Sequence, residues 1–232
     1  MILKKWDDLP EKLKNKQTKK YYDILKHKKP SLILKRLIDI LMSIILLIIL
    51  SPVFLILSIL IKIDSKGPVF YKQERITTYG KTFKIFKFRT MVQNADKNEM
   101  LLTMDKDNRI TKLGGKIRKY RLDELPQIIN ILIGDMSFVG TRPEVAKYVD
   151  MYTDEMKATL LMPSGVTSTA SIQFKDESET ISKYLQLEEN VDNIYEKIIL
   201  TQKMKYNLEY IENFSILEDF KICINTLLKV IK

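Results

Sequence analysis

Apolar and polar residues follow three regimes along the chain. In residues 1–30, Trp6, Leu9, Leu13, Tyr21, Tyr22, Ile24 and Leu25 are scattered among lysines, with Pro10 placed where a short helix could begin. That texture predicts a pair of short helices on a membrane surface, with an unstructured tail as the alternative. From Ile40 to Ile61 the chain carries 22 residues without a charge, about the length that crosses a hydrocarbon core of ~30 Å. Pro52 stands in the middle of this run, where it removes a backbone hydrogen bond and kinks or breaks a helix. Ser51 beside it can satisfy the carbonyl that is freed.

Past Ile63 the period changes. Asp64 to Pro68 reads as a turn, VFYKQERI as a strand and TTYGKT as a second turn around Gly80. FKIFKFRTM, from Phe83 to Met91, alternates apolar and basic residues, so the two strand-like runs predict a small hairpin. Residues 92–113 are polar and predict loop with a short helix. From Gly115 a helical spacing of Ile117, Leu125, Ile128, Ile129 and Leu132 is interrupted by Pro126 and punctuated by Gly134 and Gly140. A helical stretch around VAKYVDMYTDEMKATLLM follows, then a loop- or strand-like PSGVTSTASIQF. Two further helices are predicted, from about Val191 to Tyr210 and from Leu217 to Val230. In the last helix Leu217, Phe220, Ile224, Leu227, Leu228 and Ile231 share one face. That face either packs on the core, the default, or lies in a membrane interface. The sum is a mostly α fold with a small β-hairpin, divided into a basic extension (1–30), a membrane segment (31–63) and a larger remainder (64–232).

Charge sharpens the membrane reading. The formal net charge is +10, and it is concentrated around the apolar run. Residues 1–36 hold twelve cations and four anions, residues 62–90 eight and two, and the rest of the chain is slightly acidic. Lys35 and Arg36 before the run, and Lys62, Lys66, Lys72 and Arg75 after it, leave no asymmetry for the positive-inside rule to read. A re-entrant segment that enters one leaflet, breaks at Ser51-Pro52 and returns to the same face is therefore favoured over a spanning helix. Basic flanks of this kind suit an anionic leaflet or phosphorylated substrates. Nucleic acid is not expected as a partner, since neither a zinc-finger spacing nor an RNP motif accompanies the basic patch. The opening segment also lacks the pattern of a secretory signal, because its apolar core begins only after residue 31.

One cysteine, Cys223, rules out an internal disulfide and Cys-rich metal sites, and fits a reducing compartment. One histidine, His27, makes His-based zinc sites and Ser-His-Asp chemistry untenable. Acids, bases and nucleophiles must then come from other residue types. The run from Arg118 to Glu124 (RKYRLDE) sets two adjacent carboxylates, Asp123 and Glu124, among three cations. Such pairs are common at helix starts for purely electrostatic reasons. A desolvated Asp among cations can nonetheless attack phosphorus, and a neighbouring Glu can hold Mg²⁺ against phosphate oxygens. Phosphoryl chemistry also needs fixed positive charge. Lys87 and Arg89 project to the same side of the alternating strand in KFRTM, and Arg142 follows the Gly140 turn in GTRPE. Each alone reads as an ordinary solvated cation. The chain has no P-loop, GxGxxG or kinase signature.

Taken in order, these segments resemble one family. The stretch KRLIDILMSIILLIILSPVFLILSILIKIDSKGPVFYKQERITTYGKTFKIFKFRTM, followed by GKIRKYRLDELPQIINILIGDMSFVGTRPE, is similar to the bacterial sugar transferases, the monotopic polyprenyl-phosphate phosphoglycosyl transferases. The resemblance runs from about Lys35 to the C terminus. It implies a re-entrant helix broken at Ser51 and Pro52, and a catalytic portion with interfacial amphipathic helices on the cytoplasmic face of the bacterial inner membrane. It also implies ping-pong transfer. Asp123 would attack the β-phosphorus of a UDP-sugar and release UMP, and polyprenyl (undecaprenyl) phosphate would then take the sugar phosphate. Glu124 would bind Mg²⁺, and Lys87 and Arg142 would contact phosphates; Arg89 joins them on the strand alternation alone. The product would initiate a capsule, exopolysaccharide or glycoprotein glycan, and a homodimer is left open. Many relatives read PGVTG followed by a Trp-containing stretch, whereas this chain reads Pro163-Ser164-Gly165-Val166-Thr167-Ser168-Thr169-Ala170. That departure bears on the sugar or nucleotide pocket rather than on the reaction. A membrane scaffold that keeps the fold without the chemistry is the rival class.

Overall fold

A computed structural model describes residues 3–93, 107–174 and 191–231. The predicted loop and short helix of residues 92–113 lie largely outside the described residues.

The N-terminal extension is part of the folded body. Two 3-10 turns, Trp6–Asp8 and Glu11–Leu13, lead to helix α1 (Lys16–His27), which Asn15 caps by accepting from the Thr18 N–H at 2.8 Å. Leu3, Leu9, Leu13, Tyr21, Tyr22 and Leu25 are all buried. Their polar atoms are satisfied as well: the Tyr21 hydroxyl donates to Glu155 at 2.7 Å and the Tyr22 hydroxyl to the Lys4 carbonyl at 3.0 Å. Trp6 packs edge-on against Tyr22 with centroids 5.1 Å apart. The expected pair of membrane-surface helices is therefore replaced by a strap. Its apolar side chains are consumed by α1's contacts with the 156–161 turn and the later helix 201–212, leaving the lysines outside.

Helix α2 (Lys29–Asp64) is 36 residues long and contains Pro52. Proline at 52 deprives the Ile48 carbonyl of its helical donor, and the Ser51 hydroxyl donates to that same carbonyl at 2.8 Å. The break expected at Ser51-Pro52 is not seen: with that carbonyl satisfied, a single helix continues through the pair. Its apolar middle faces outward, with Ile48 69% and Leu55 63% exposed, while both ends are docked on the same body. Near the start, Lys35 pairs with Asp219 at 2.5 Å, and Arg36 donates to the Leu132 carbonyl at 2.8 Å. Near the end, Leu57 and Ile61 pack with Phe88 and Ile117.

The predicted hairpin forms. Strand β1 (Phe70–Ile76) pairs antiparallel with β2 (Thr82–Phe88), in a register from Phe70 opposite Phe88 to Ile76 opposite Thr82. The turn between them uses positive φ at Tyr79 and Gly80. Phe83 and Ile85 enter the core beside Ile131 and Met136. Helix α3 (Lys112–Lys119) then leads through a 3-10 turn, Leu122–Glu124, into α4 (Gln127–Ile133), which ends at Gly134 with φ 100°. Pro126 accounts for the break between them.

A second, parallel pair joins β3 (Met136–Val139) to β4 (Ser164–Thr167). Between them the predicted long helix is reduced to α5 (Ala146–Val149) and a 3-10 turn, Met156–Leu161. Helix α6 (Thr169–Gln173) follows β4. The C-terminal part consists of α7 (Val191–Ile194), a π-helical turn (Tyr195–Leu200), α8 (Thr201–Glu212) and α9 (Ile216–Ile231). The default expectation for α9 is corrected: Leu217 is 74% and Leu227 63% exposed, with Phe220, Ile224 and Leu228 also outward, while Ile222 on the opposite side is buried.

Candidate active site

The carboxylate pair sits where the chain is tightly constrained on both sides. α3 ends at Tyr120, and Arg121 adopts a left-handed conformation with φ 53°, which costs a non-glycine residue about 1–3 kcal/mol. Pro126 then fixes the first turn of α4. The reversal turns Asp123 inward, where it is buried. Among the described residues no side chain donates a hydrogen bond to the Asp123 carboxylate. Burial pushes it above the ordinary carboxylate range, opposed by Lys87 and reinforced by Glu124. A desolvated carboxylate without a direct partner is a better nucleophile than a solvated one.

Glu124 is in the opposite situation. Its Oε1 accepts from Lys87 Nζ at 3.0 Å and from an Arg142 guanidinium nitrogen. Burial alone would raise it, but Arg142 and Lys87 outweigh burial and hold it well below the ordinary range. Burial pushes the Lys87 ammonium down, against the pull of Glu124, with Arg142 adding to the lowering. One of the two adjacent carboxylates is therefore held ionised and paired, whereas burial raises the other.

Three separate elements deliver these groups. Lys87 comes from β2, whose position is set by Asn130 of α4. That buried amide accepts from the Phe86 N–H at 2.9 Å and donates to the Lys84 carbonyl at 2.8 Å. Arg142 follows β3, and there Gly140 and Gly165 approach so closely that a Cβ on either would overlap the backbone of the other segment. Glu144 ties the same loop down. Its carbonyl accepts from the Ile76 N–H at 2.9 Å, and its buried carboxylate accepts from the Tyr195 hydroxyl at 2.6 Å. Asn130, Glu144 and Tyr195 were not singled out from the sequence. Only the proximity of Glu144 to Arg142 in GTRPE offered a signal.

Of the residues expected from the sequence, Lys87, Asp123, Glu124 and Arg142 come together. Arg89 does not, which corrects the expectation that it contacts phosphates. β2 ends at Phe88, so the alternation no longer governs residue 89. Its guanidinium turns to the end of α2, donating to the carbonyls of Ser65 (2.6 Å) and Ile61 (3.2 Å) and to that of Pro68. Arg89 thus caps α2 in place of absent helical donors. Ser51 and Pro52 lie on the exposed part of α2.

A cavity of about 590 Å³ adjoins Glu124 and Arg142 and extends between α2, α4 and α9. Beyond those two residues its walls are mainly apolar. The Mg²⁺ implied by the family resemblance would be held by Glu124. Mg²⁺ commonly takes one or two carboxylates together with substrate phosphates and waters. A single carboxylate such as Glu124 fits that donor set, and among the described residues no cluster of three or more acidic, His or Cys ligands exists to form a protein-only cage.

Comparison with known proteins follows the same lines. The sequence profile described as bacterial sugar transferase matches residues 30–232. A UDP-glucose:undecaprenyl-phosphate glucose-1-phosphate transferase of Klebsiella pneumoniae is 33% identical over 86% of this chain and 40% of the relative. A UDP-N-acetylgalactosamine-undecaprenyl-phosphate N-acetylgalactosaminephosphotransferase of Aeromonas hydrophila is 43% identical over 53% of this chain and 29% of the relative. The exopolysaccharide production protein ExoY of Sinorhizobium fredii is 32% identical over 83% of each chain. The match spans less than half the length of the first two relatives and most of the third. With a profile match that begins at α2 and continues to the last residue, the chain belongs to the bacterial sugar transferase family.

Proposed function

We propose that this protein transfers a sugar 1-phosphate from a UDP-sugar to polyprenyl phosphate through a covalent intermediate on Asp123. The reading rests on one observation above the others: a buried carboxylate that takes no side-chain hydrogen bond among the described residues stands next to one that is locked between Lys87 and Arg142. An Asp123 oxygen attacks the β-phosphorus of the donor. The bond from that phosphorus to the bridging oxygen breaks, and UMP leaves with the electron pair. The sugar phosphate is then an acyl phosphate on Asp123. A phosphate oxygen of the polyprenyl acceptor attacks the same phosphorus, the acyl bond breaks, and the Asp123 carboxylate is restored as polyprenyl-diphosphate-sugar departs.

Lys87 and Arg142 provide fixed positive charge for the diphosphate and for the charge that develops on the equatorial oxygens. Mg²⁺, when bound through Glu124, would supply further charge neutralisation at the diphosphate. Splitting the reaction in two means that a soluble anion and a lipid never have to occupy the site together. The donor's sugar is tied to the Ser164–Ala170 segment, where this chain departs from many relatives. The relatives named for undecaprenyl-phosphate transfer and exopolysaccharide production support a place at the start of surface glycan assembly.

The protein is read as monotopic on the cytoplasmic face of the inner membrane, with α2 re-entrant at Ser51-Pro52. Support comes from the anchoring of both ends of α2 on one body while its middle presents bare apolar side chains. The outward face of α9 supplies a second lipid-facing surface. Replacing Asp123 by Asn tests the reaction. UMP release from UDP-sugar should be lost even without acceptor, with membrane association unchanged, and full activity in this variant would refute the proposal.

A further inference from the structure

Arg142 lies on a stretch, residues 141–145, that has no regular secondary structure, so its placement depends on what anchors that stretch at each end. On one side the Gly165 N–H donates to the Thr141 carbonyl at 2.9 Å. On the other side the anchor is the buried Glu144. One oxygen of its carboxylate accepts from the Tyr195 hydroxyl at 2.6 Å, and the other faces Arg75 of β1 at 3.9 Å. Burial lowers Arg75, Glu144 opposes the lowering and Arg142 adds to it. Two guanidiniums therefore repel each other across this loop, and Glu144 holds it against that repulsion. Behind Tyr195 stands Lys203 of α8, itself buried, whose ammonium donates to the Tyr195 hydroxyl at 3.4 Å and lies 5.1 Å from the ring centroid. An ammonium can only donate. The hydroxyl thus accepts from Lys203 and gives its own proton to Glu144, and the chain of bonds runs in one direction, from α8 to the loop.

The winding between α7 and α8 explains how Tyr195 and Lys203 meet. Residues eight apart in a regular α-helix point about 80° apart around the axis. The turn Tyr195–Leu200 is instead π-helical, and its i→i+5 winding advances fewer degrees per residue, which brings the two side chains toward one side. Such turns recur at functional sites. We propose that Tyr195 and Lys203 are positioning residues that act through Glu144 to set the Arg142 guanidinium against Glu124 and the donor's diphosphate. The proposal rests on the functional reading above and adds to it that the C-terminal helices take part in the first chemical step, with the π-helical turn as the device that aligns them.

A positioning role and a purely structural one separate in the burst of UMP released without acceptor. The burst amplitude counts competent protein, and its rate constant reports how well Arg142 is placed. The full chain in nanodiscs is given a panel of UDP-hexoses and UDP-N-acetylhexosamines, and the donor that releases UMP fastest is used at saturation. Tyr195→Phe keeps the buried ring and removes the hydroxyl. It should lower the rate constant about tenfold with the amplitude unchanged, since misplacing a catalytic group by ~1 Å is enough for a loss of that size. Lys203→Met should lower the rate constant about fivefold, and Lys203→Gln, which keeps a donor toward Tyr195, should stay within about twofold of the unaltered protein. An unchanged rate constant in folded Tyr195→Phe would overturn the proposal, and so would an amplitude that falls while the rate constant holds. If Tyr195→Phe does not fold, the Lys203 pair decides, and equal rate constants for its Met and Gln variants would overturn the proposal. If the unaltered protein releases UMP from no donor in the panel, the functional reading itself fails. Release by the unaltered protein together with unaffected variants defeats the positioning role alone.

Discussion

Replacing Glu124 by Gln removes a carboxylate that Lys87 and Arg142 share. The Glu124 side chain is 11% exposed, Lys87 21% and Arg142 33%. Deleting one member of a buried ion pair costs about 3–5 kcal/mol, because the remaining charge stays desolvated. Lys87 carries most of the penalty, because it is the less exposed of the two cations and Arg142 can turn toward water. The expected loss is at the lower end, about 3 kcal/mol. For a chain of this size that corresponds to a drop in melting temperature of roughly 6–12 °C. Trp6 is the only tryptophan and packs on Tyr22 in the strap, so its fluorescence in detergent micelles reports unfolding of the body. Glu124 titrates below its ordinary value of 4.5 when folded. Its contribution is therefore fully present above pH 4.5 and is lost only as pH falls through the lowered value. The difference between the two proteins should be the same at pH 7 and pH 5.5. Replacing Lys87 by Met in the same chain should recover part of the loss. A change smaller than about 2 °C, or one that vanishes already at pH 5.5, would refute the claim that Glu124 is the fixed, ionised partner of both cations.

Three further outcomes follow from the same geometry. UMP release without acceptor requires ionised Asp123, whose folded value is raised by burial. The acid limb of its rate profile should therefore lie above the ordinary carboxylate position, and a limb at or below that position would contradict the assignment. In a Cys223→Ser background, single cysteines at Lys5 and Lys116 should react with an impermeant maleimide on the same side of sealed vesicles; opposite sides would mean that α2 spans the bilayer. Removing residues 1–27 exposes the pockets filled by Leu13, Tyr21, Tyr22 and Leu25, each worth about 1.5–3 kcal/mol. The truncated chain should fail to accumulate as folded protein, and a truncated chain with the full melting temperature would show that the strap is dispensable.

The parts legible in the sequence are those whose information is local. The hairpin follows from the alternation in FKIFKFRTM, and the extent of α2 from an unbroken apolar run with a single proline. Asp123 and Glu124 stood out because adjacent carboxylates among cations are conspicuous. What the sequence concealed depends on distant partners. Tyr21, Tyr22 and Leu25 looked like stray apolar residues in a lysine-rich tail, because the surfaces that bury them come from residues far along the chain. The parallel pairing of β3 with β4 joins two four-residue strands, too short to give a period, and depends on the close passage of Gly140 and Gly165. Arg89 was assigned by extending an alternation past Phe88, where the strand ends. The face of α9 could not be decided from its spacing, since a core helix and an interfacial helix carry the same stripe.

The account stands or falls on the covalent step. Intact-protein mass spectrometry after incubation with UDP-sugars and Mg²⁺, without lipid acceptor, measures it directly. The account predicts a mass increase of one sugar phosphate, mapped to Asp123 by peptide fragmentation, absent in Asp123→Asn, and discharged when undecaprenyl phosphate is added. An unmodified protein that nevertheless transfers sugar phosphate to the lipid, or an adduct on any other residue, would contradict it.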